Sequence, residues 1–271
     1  MAVNQTAASD ATAFLVNENT VYFTRSDVVP TPKAPYTPLA ALIEGIWNIN
    51  PEFANKILRN HLCSFYLRTP LCDGMIKVAA KRARIMTEFE SYDMTEKLAN
   101  KKWVEVFADV KTQLGEFSSL IGKKISNEEA LNLVHQFAKK SELKEVRSES
   151  DRPVGAILLS KENEVLSLGW NTNAKQRIHH CEVNLIRNYL LRTGKLIPAD
   201  STLVVSLKPC AMCAAQLLTF SEDFSSLRVL YLEDDPGPAA TNSVLVAGSD
   251  LAKKAKAKVK QFSLIHTADE I

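Results

Sequence analysis

From Pro153 to Leu232 the chain alternates short apolar runs with amphipathic stretches, and this order restricts its fold more than any other feature of its 271 residues. PVGAILL (153–159) and EVLSLGW (164–170) read as strands joined by the turn SKEN. Residues 180–193 read as a helix ended by Gly194, and STLVVSL (201–207) as a β-branched strand. Residues 209–220 read as a helix with Pro209 in its first turn, and LRVLYL (227–232) as a strand. Residues 251–260 and 261–266 are expected to add a helix and a last strand. Strands separated by helices predict an α/β domain with a largely parallel sheet. Its first helix opens at Ser126, with Glu129 three residues on as a capping box, so the domain is set at 126–271.

Residues 1–125 follow a different pattern. FLVNENTVYFTR (14–25) reads as a hairpin, and PTPKAPYTP after it, with Pro at 30, 32, 35 and 38, as a stiff connector. Residues 39–48, 53–67, 75–98 and 103–121 carry apolar side chains three and four apart. That spacing predicts a mostly helical N-terminal region, broken at Pro51 and at 70–74.

Hydrophobic residues make up 46% of the chain, enough for a sizeable core. No apolar run approaches ~20 residues, so no membrane span is expected. The first residues lack the basic and apolar regions of a secretory signal. Five cysteines, an odd number in a chain of this length, do not suit a disulfide framework, so a reducing, cytoplasmic compartment is expected. Residues 1–125 hold 15 Lys and Arg against 13 Asp and Glu, and 126–271 hold 18 against 18. With neither half basic, any contact with nucleic acid must rest on local patches.

Two clusters carry chemistry: HHCE (179–182) and KPCAMC (208–213), each where the chain runs into a helix. Cys210 and Cys213 are three apart, hence on one face, and a helix N-terminus favours thiolates. His180 offers a nitrogen. Three protein ligands leave one tetrahedral position open, the catalytic pattern for Zn²⁺, whose bound water then has a pKa of roughly 7. Glu182 is placed to move that water's proton. Each motif alone is weak: C-x-x-C also fits buried thiols or a redox pair, and H-x-E arises by chance. Their conjunction in this order is far more specific. His179 lacks the H-x-E spacing and is read as a loop residue.

H-x-E followed by P-C-x-x-C is the signature of the zinc-dependent cytidine deaminase-like superfamily. PVGA, the G-x-N of LGWN and PCAMCA extend the likeness, so that residues 126–266 resemble tRNA adenosine deaminases and the related cytosine and guanine deaminases. The resemblance implies an α/β/α three-layer sandwich with a mixed five-stranded sheet. It also implies that Asn171 contacts substrate and that the strand Val154–Ala156, with Val154 and Ala156, lines the base pocket. Two departures stand out. Lys208 occupies a position usually held by Glu, which opens the substrate class. Cys181 replaces an Ala; it reads as a small buried residue, with a fourth metal ligand as the alternative.

The resemblance thus implies hydrolytic attack on the amino-bearing carbon of a nucleobase, within RNA or single-stranded DNA. A free base, nucleoside or nucleotide is the alternative, which the balanced charge suits. A non-enzymatic zinc module ranks last, because it needs no Glu182. Residues 1–125 would grip a polymer, pack on the sheet or form a homodimer interface. His61, His135 and His266 read as ordinary core or surface histidines, and Cys63 and Cys72 as buried thiols. KVAAKRAR (77–84) and the lysine-rich stretch 251–260 read as solvated faces that could also meet phosphates.

Overall fold

The computed structural model describes residues 12–25, 30–32, 35–64, 69–86, 98, 100–108, 115–140, 152–172, 177–233, 235 and 245. The helix and strand expected at 251–266, with His266, lie outside these residues. The chain divides into two compact units, Met1–Val110 and Lys111–Ile271. Residues Phe117, Leu120, Ile121 and Ile125 pack on the core of the second unit.

The first unit begins with the expected hairpin. β1 (Ala13–Asn17) and β2 (Thr20–Thr24) pair antiparallel around a turn in which Glu18 takes a left-handed φ of 52°. The connector leads into α1 (Pro38–Ile49), whose Thr37 hydroxyl caps the Ala40 N–H with Pro38 in the first turn. Nearly every residue of α1 is buried.

Beyond α1 the expectation of a mostly helical region is wrong. α2 (Ala54–Ile57) is followed by β3 (His61–Ser64), α3 (Pro70–Ala79) by β4 (Arg84–Met86), and β5 is Lys102–Glu105. With β1 and β2 these strands form a five-stranded sheet, in the order β4-β3-β1-β2-β5. Strands of three or four residues are too short to show a period of two, and pairing partners rather than local pattern decide them. β3 is held by β1, and Trp103 of β5 packs edge-on to Phe23 of β2 at 5.5 Å. Among the described residues of 103–121 the helical structure is one 3₁₀ turn, Gly115–Leu120. Pro70, read as a break, instead starts α3, whose Thr69 hydroxyl caps Cys72.

In the second unit α4 (Asn127–Lys140) opens with the capping box: the Ser126 hydroxyl accepts from the Glu129 N–H at 3.1 Å, and the Glu129 carboxylate accepts from the Ser126 N–H at 2.7 Å. β6 (Gly155–Leu159), β7 (Val165–Trp170), α5 (Cys181–Thr193), β8 (Thr202–Leu207), α6 (Ala211–Phe220) and β9 (Arg228–Glu233) follow as read, within a residue or two. The described sheet has the order β7-β6-β8-β9. It is mixed rather than largely parallel: β6 runs antiparallel to both neighbours, and β8 pairs parallel with β9 across the α6 crossover. A four-residue turn can only fold β7 back onto β6, which forces the antiparallel edge.

Two glycines show how closely the layers approach. A Cβ on Gly155 would meet the Val134 carbonyl at 2.5 Å, on the α4 side. A Cβ on Gly169 would meet the Cys181 carbonyl at 2.4 Å, on the α5 side. The sheet is therefore sandwiched, with α4 on one face and α5 on the other, as in the α/β/α arrangement expected. Phe137, Val134, Ile157, Leu168, Val204 and Leu230 fill the α4 side, with Phe117 edge-on to Phe137 at 4.5 Å.

Candidate active site

Two helix starts make the site. His180 is the N-cap of α5 and Cys210 the N-cap of α6, both with extended backbone and neither with a side-chain capping bond. N-caps are usually Ser, Thr, Asp or Asn, whose side chains bend back onto the first turn. Here the imidazole and the thiol turn outward and meet each other. Cys213, one turn into α6, completes the group.

The three ligating atoms form a triangle. His180 Nδ1 lies 3.5 Å from each sulfur, and the sulfurs are 3.5 Å apart. With Zn–S about 2.3 Å and Zn–N about 2.0–2.1 Å, a tetrahedral ion spaces its sulfurs about 3.8 Å apart and sulfur from nitrogen about 3.5–3.6 Å. The triangle fits zinc to within a few tenths of an ångström. His180, Cys210 and Cys213 are the one group of this kind among the described residues. Cys210 and Cys213 are buried and His180 partly so.

Glu182 stands against this triangle, 3% exposed. Its Oε2 lies 3.3 Å from Cys213 Sγ and 3.1 Å from Cys181 Sγ. Cys181, fully buried, thus fills the space of a small residue and donates a thiol hydrogen bond to that carboxylate. It is not part of the ligand triangle. His179 stays outside it too, its carbonyl accepting from the Thr172 N–H.

The electrostatics follow from this crowding. Burial pushes the Glu182 carboxyl up, the Cys210 thiolate pushes the same way, and His180 opposes both. A hydrogen bond from Cys213 and the charge on His180 hold Cys210 well below the ordinary thiol range, against burial. Burial lowers His180, but the Cys210 thiolate, then Glu182 and Asp235, outweigh it and raise the imidazole to about 9.

The resemblance-derived residues are placed as follows. Asn171, 5% exposed, accepts from the Cys181 N–H at 2.7 Å through Oδ1 and donates to the Arg152 carbonyl at 2.6 Å through Nδ2. Its own N–H donates to the Val154 carbonyl at 2.9 Å. Asn171 therefore ties the start of β6 to the first turn of α5, between His180 and Glu182. Ala156 pairs with Gly169, whose hydrogen faces α5, so Ala156 lies on that face of the sheet. Gly155 points the other way, so alternation along the strand puts Val154 on the α5 face too.

Two contributors were missed in the sequence. Asn184 donates to the Trp170 carbonyl at 2.8 Å and to the Thr172 hydroxyl at 3.1 Å, holding the loop before α5. Its signal was its place one turn after His180. Asp235 acts on His180 by charge, from a position after β9 that no motif marked.

Residues 145–256 match the family model described as Bd3614-like deaminase. The chain is 35% identical over 68 residues to a tRNA-specific adenosine deaminase of Haemophilus influenzae, covering 24% of this chain and 39% of that protein. It is 34% identical over 92 residues to a tRNA(Ile)-lysidine synthase of Deinococcus radiodurans, covering 33% and 14%. It thus spans less than half of the length of either relative. A solved structure from a study of A-to-I editing by tRNA:A34 deaminases is 22% identical, with a TM-score of 0.37, over 50% of this chain and 98% of that one. Residues 145–256 are thus similar to the Bd3614-like deaminase family, and part of the chain is similar to tRNA-specific adenosine deaminases.

Proposed function

We propose that residues 126–271 form a zinc-dependent hydrolytic deaminase acting on a nucleobase, within RNA or single-stranded DNA. The observation that carries this reading is the His180–Cys210–Cys213 triangle with the Glu182 carboxylate 3.3 Å from Cys213 Sγ. A structural zinc site needs no buried carboxylate at its side, whereas hydrolysis needs a group to move protons. The likeness to tRNA-specific adenosine deaminases supports a base within a polymer.

His180, Cys210 and Cys213 would hold the metal. Zinc, when bound, supplies Lewis acidity that makes water a stronger nucleophile near neutral pH. The net reaction replaces the amino group of the base by a carbonyl: water supplies the oxygen, the C–N bond breaks, and ammonia leaves. Glu182 takes the water's two protons in turn at its carboxylate, delivering one to the ring nitrogen beside the reacting carbon and one to the departing nitrogen. Cys181 steadies Oε2 of that carboxylate, and burial keeps bulk water from competing for the proton. Asn171 holds the α5 turn that carries His180 and Glu182 in register with β6.

The test is ammonia release from a panel of free bases, nucleosides and oligonucleotides, with Glu182→Gln beside the parent. The amide keeps the shape but cannot carry a proton, so activity should fall by at least about 10²–10⁴-fold with zinc content unchanged. Turnover by Glu182→Gln at the parent rate would overturn the role of Glu182. Turnover confined to free bases or nucleosides would move the substrate to the small-molecule class.

A further inference from the structure

We propose that one end of the five-stranded sheet in the first unit binds the phosphate backbone of a single-stranded nucleic acid. Topology makes this edge. β2 runs parallel to β5 with Thr20 against Lys102, and β3 runs parallel to β4 with His61 against Arg84. β1 runs antiparallel to both β2 and β3, so four strands start at the end where β1 stops. The turns before those strands are gathered there and joined to one another. Asn60 Nδ2 donates to Asn17 Oδ1 at 2.7 Å, the Arg84 N–H to the Asn60 carbonyl at 3.3 Å, and the Lys102 N–H to the Asn19 carbonyl at 2.8 Å.

Onto this end fall Arg59, Lys81, Arg82, Arg84, Lys101 and Lys102, from three separate stretches of sequence. All but Lys101 are exposed. Glu18 is the one acid in the turns 17–19, 58–60, 80–83 and 100–101. None of the six has an ion-pair partner among the described residues, and Lys101 Nζ donates to the Glu18 carbonyl. At the opposite end of β2 and β5 the cation Arg25 is matched by Glu105 at 3.1 Å. Among the described cations of these strands and the turns before them, those without an ion-pair partner lie at this one end.

Four strand spacings make the edge about 19 Å wide. That is the length of about five or six nucleotides of a strand stacked at a rise of about 3.4 Å, and of fewer when the strand is extended. The exposed large apolar side chains, Ile49, Phe53 and Phe107, lie outside these turns, whereas a membrane-surface element adds apolar anchors to its cations. Charge without anchors fits a soluble polyanion, held through its backbone and not by sequence. The choice of nucleic acid over another polyanion rests on the functional reading above.

The experiment is fluorescence anisotropy of the full chain with labelled oligo-uridine and oligo-thymidine, titrated at rising salt. Neutralising about four phosphates predicts about 50-fold weaker binding between 50 and 200 mM salt, at a slope of about 0.7 per phosphate. The pair Arg59→Glu with Arg84→Glu should lower affinity more than about tenfold and halve that slope. Lys81→Glu with Lys102→Glu should do the same from other strands, and circular dichroism checks that each variant is folded. Unchanged affinity and slope in folded variants would overturn the edge. So would binding to phosphatidylserine vesicles without binding to oligonucleotide. Charge-dependent oligonucleotide binding by a chain that deaminates nothing would uphold the edge and overturn the proposed activity. Deamination without oligonucleotide binding would do the reverse.

Discussion

His180 and Cys210 stand where helices ordinarily place a capping side chain, and both have given up that bond to face each other. A Ser at Cys210 would restore a good capping group while removing a ligand. Cys210→Ser is therefore expected to leave the fold intact and to lose the metal, because a hydroxyl is a poor zinc ligand beside a thiolate. Cys213→Ser removes a ligand from a fully buried position and should lose it as well. Elemental analysis of the purified chain is expected to give one zinc per polypeptide, and markedly less in each variant. Undiminished zinc in both would show that the triangle is not the metal site. At this scale the two short motifs that the fold brings together, H-x-E and P-C-x-x-C, and the capping box were legible, because each is a short-range pattern of residue types. The contact of Cys181 with Glu182 was not, because a rotamer inside a packed first turn decides it.

Among the elements, β7 and α5 are the pair that holds the site in place. Gly169 lets the helix approach so closely that an added methyl would sit 2.4 Å from the Cys181 carbonyl and 2.7 Å from the Leu185 nitrogen. Both are backbone atoms of the α5 region, so no side chain can swing aside. Gly169→Ala should then destabilise the second unit by about 1–3 kcal/mol, the usual cost of overpacking. It should also weaken zinc retention, because the turn pushed away carries His180 and Glu182. Urea denaturation and competition with a chromogenic chelator would check the two effects. Normal zinc affinity in a destabilised variant would mean that α5 shifts without disturbing its first turn. EVLSLGW (164–170) announced β7, and the family resemblance that includes G-x-N implied a substrate contact for Asn171. In the folded chain both ends of that amide are bound to backbone.

The whole molecule is two units with separate cores, one of which carries the His180–Cys210–Cys213 triangle. Metal bound only to the folded state stabilises that state by mass action, by about 4 kcal/mol at a thousandfold excess over Kd. Calorimetry of the full chain should then show two transitions, and chelation should lower only the one belonging to 111–271. Hydrogen exchange followed by mass spectrometry would assign each transition to its unit. Equal shifts of both would mean that the units melt as one body.

What the sequence determined by itself was the run of described strands and helices in the second unit. These strands and helices run long enough to show their periods, their turns carry Gly, Asn and Ser where the backbone needs them, and the candidate metal ligands fall in two short motifs. The first unit was decided by tertiary structure. His61–Ser64, Arg84–Met86 and Lys102–Glu105 are too short to hold a periodic signature, and each is a strand only because a neighbour supplies the other half of its hydrogen bonds. The same pairing brings Arg59, Arg84 and Lys102 to one end of a sheet, a convergence absent from the linear order of charges. Local patterns are written in the side chains of one segment. Strand pairing is written in the fit between segments far apart in the chain, where the entropy of closing the loop is met only by the assembled core.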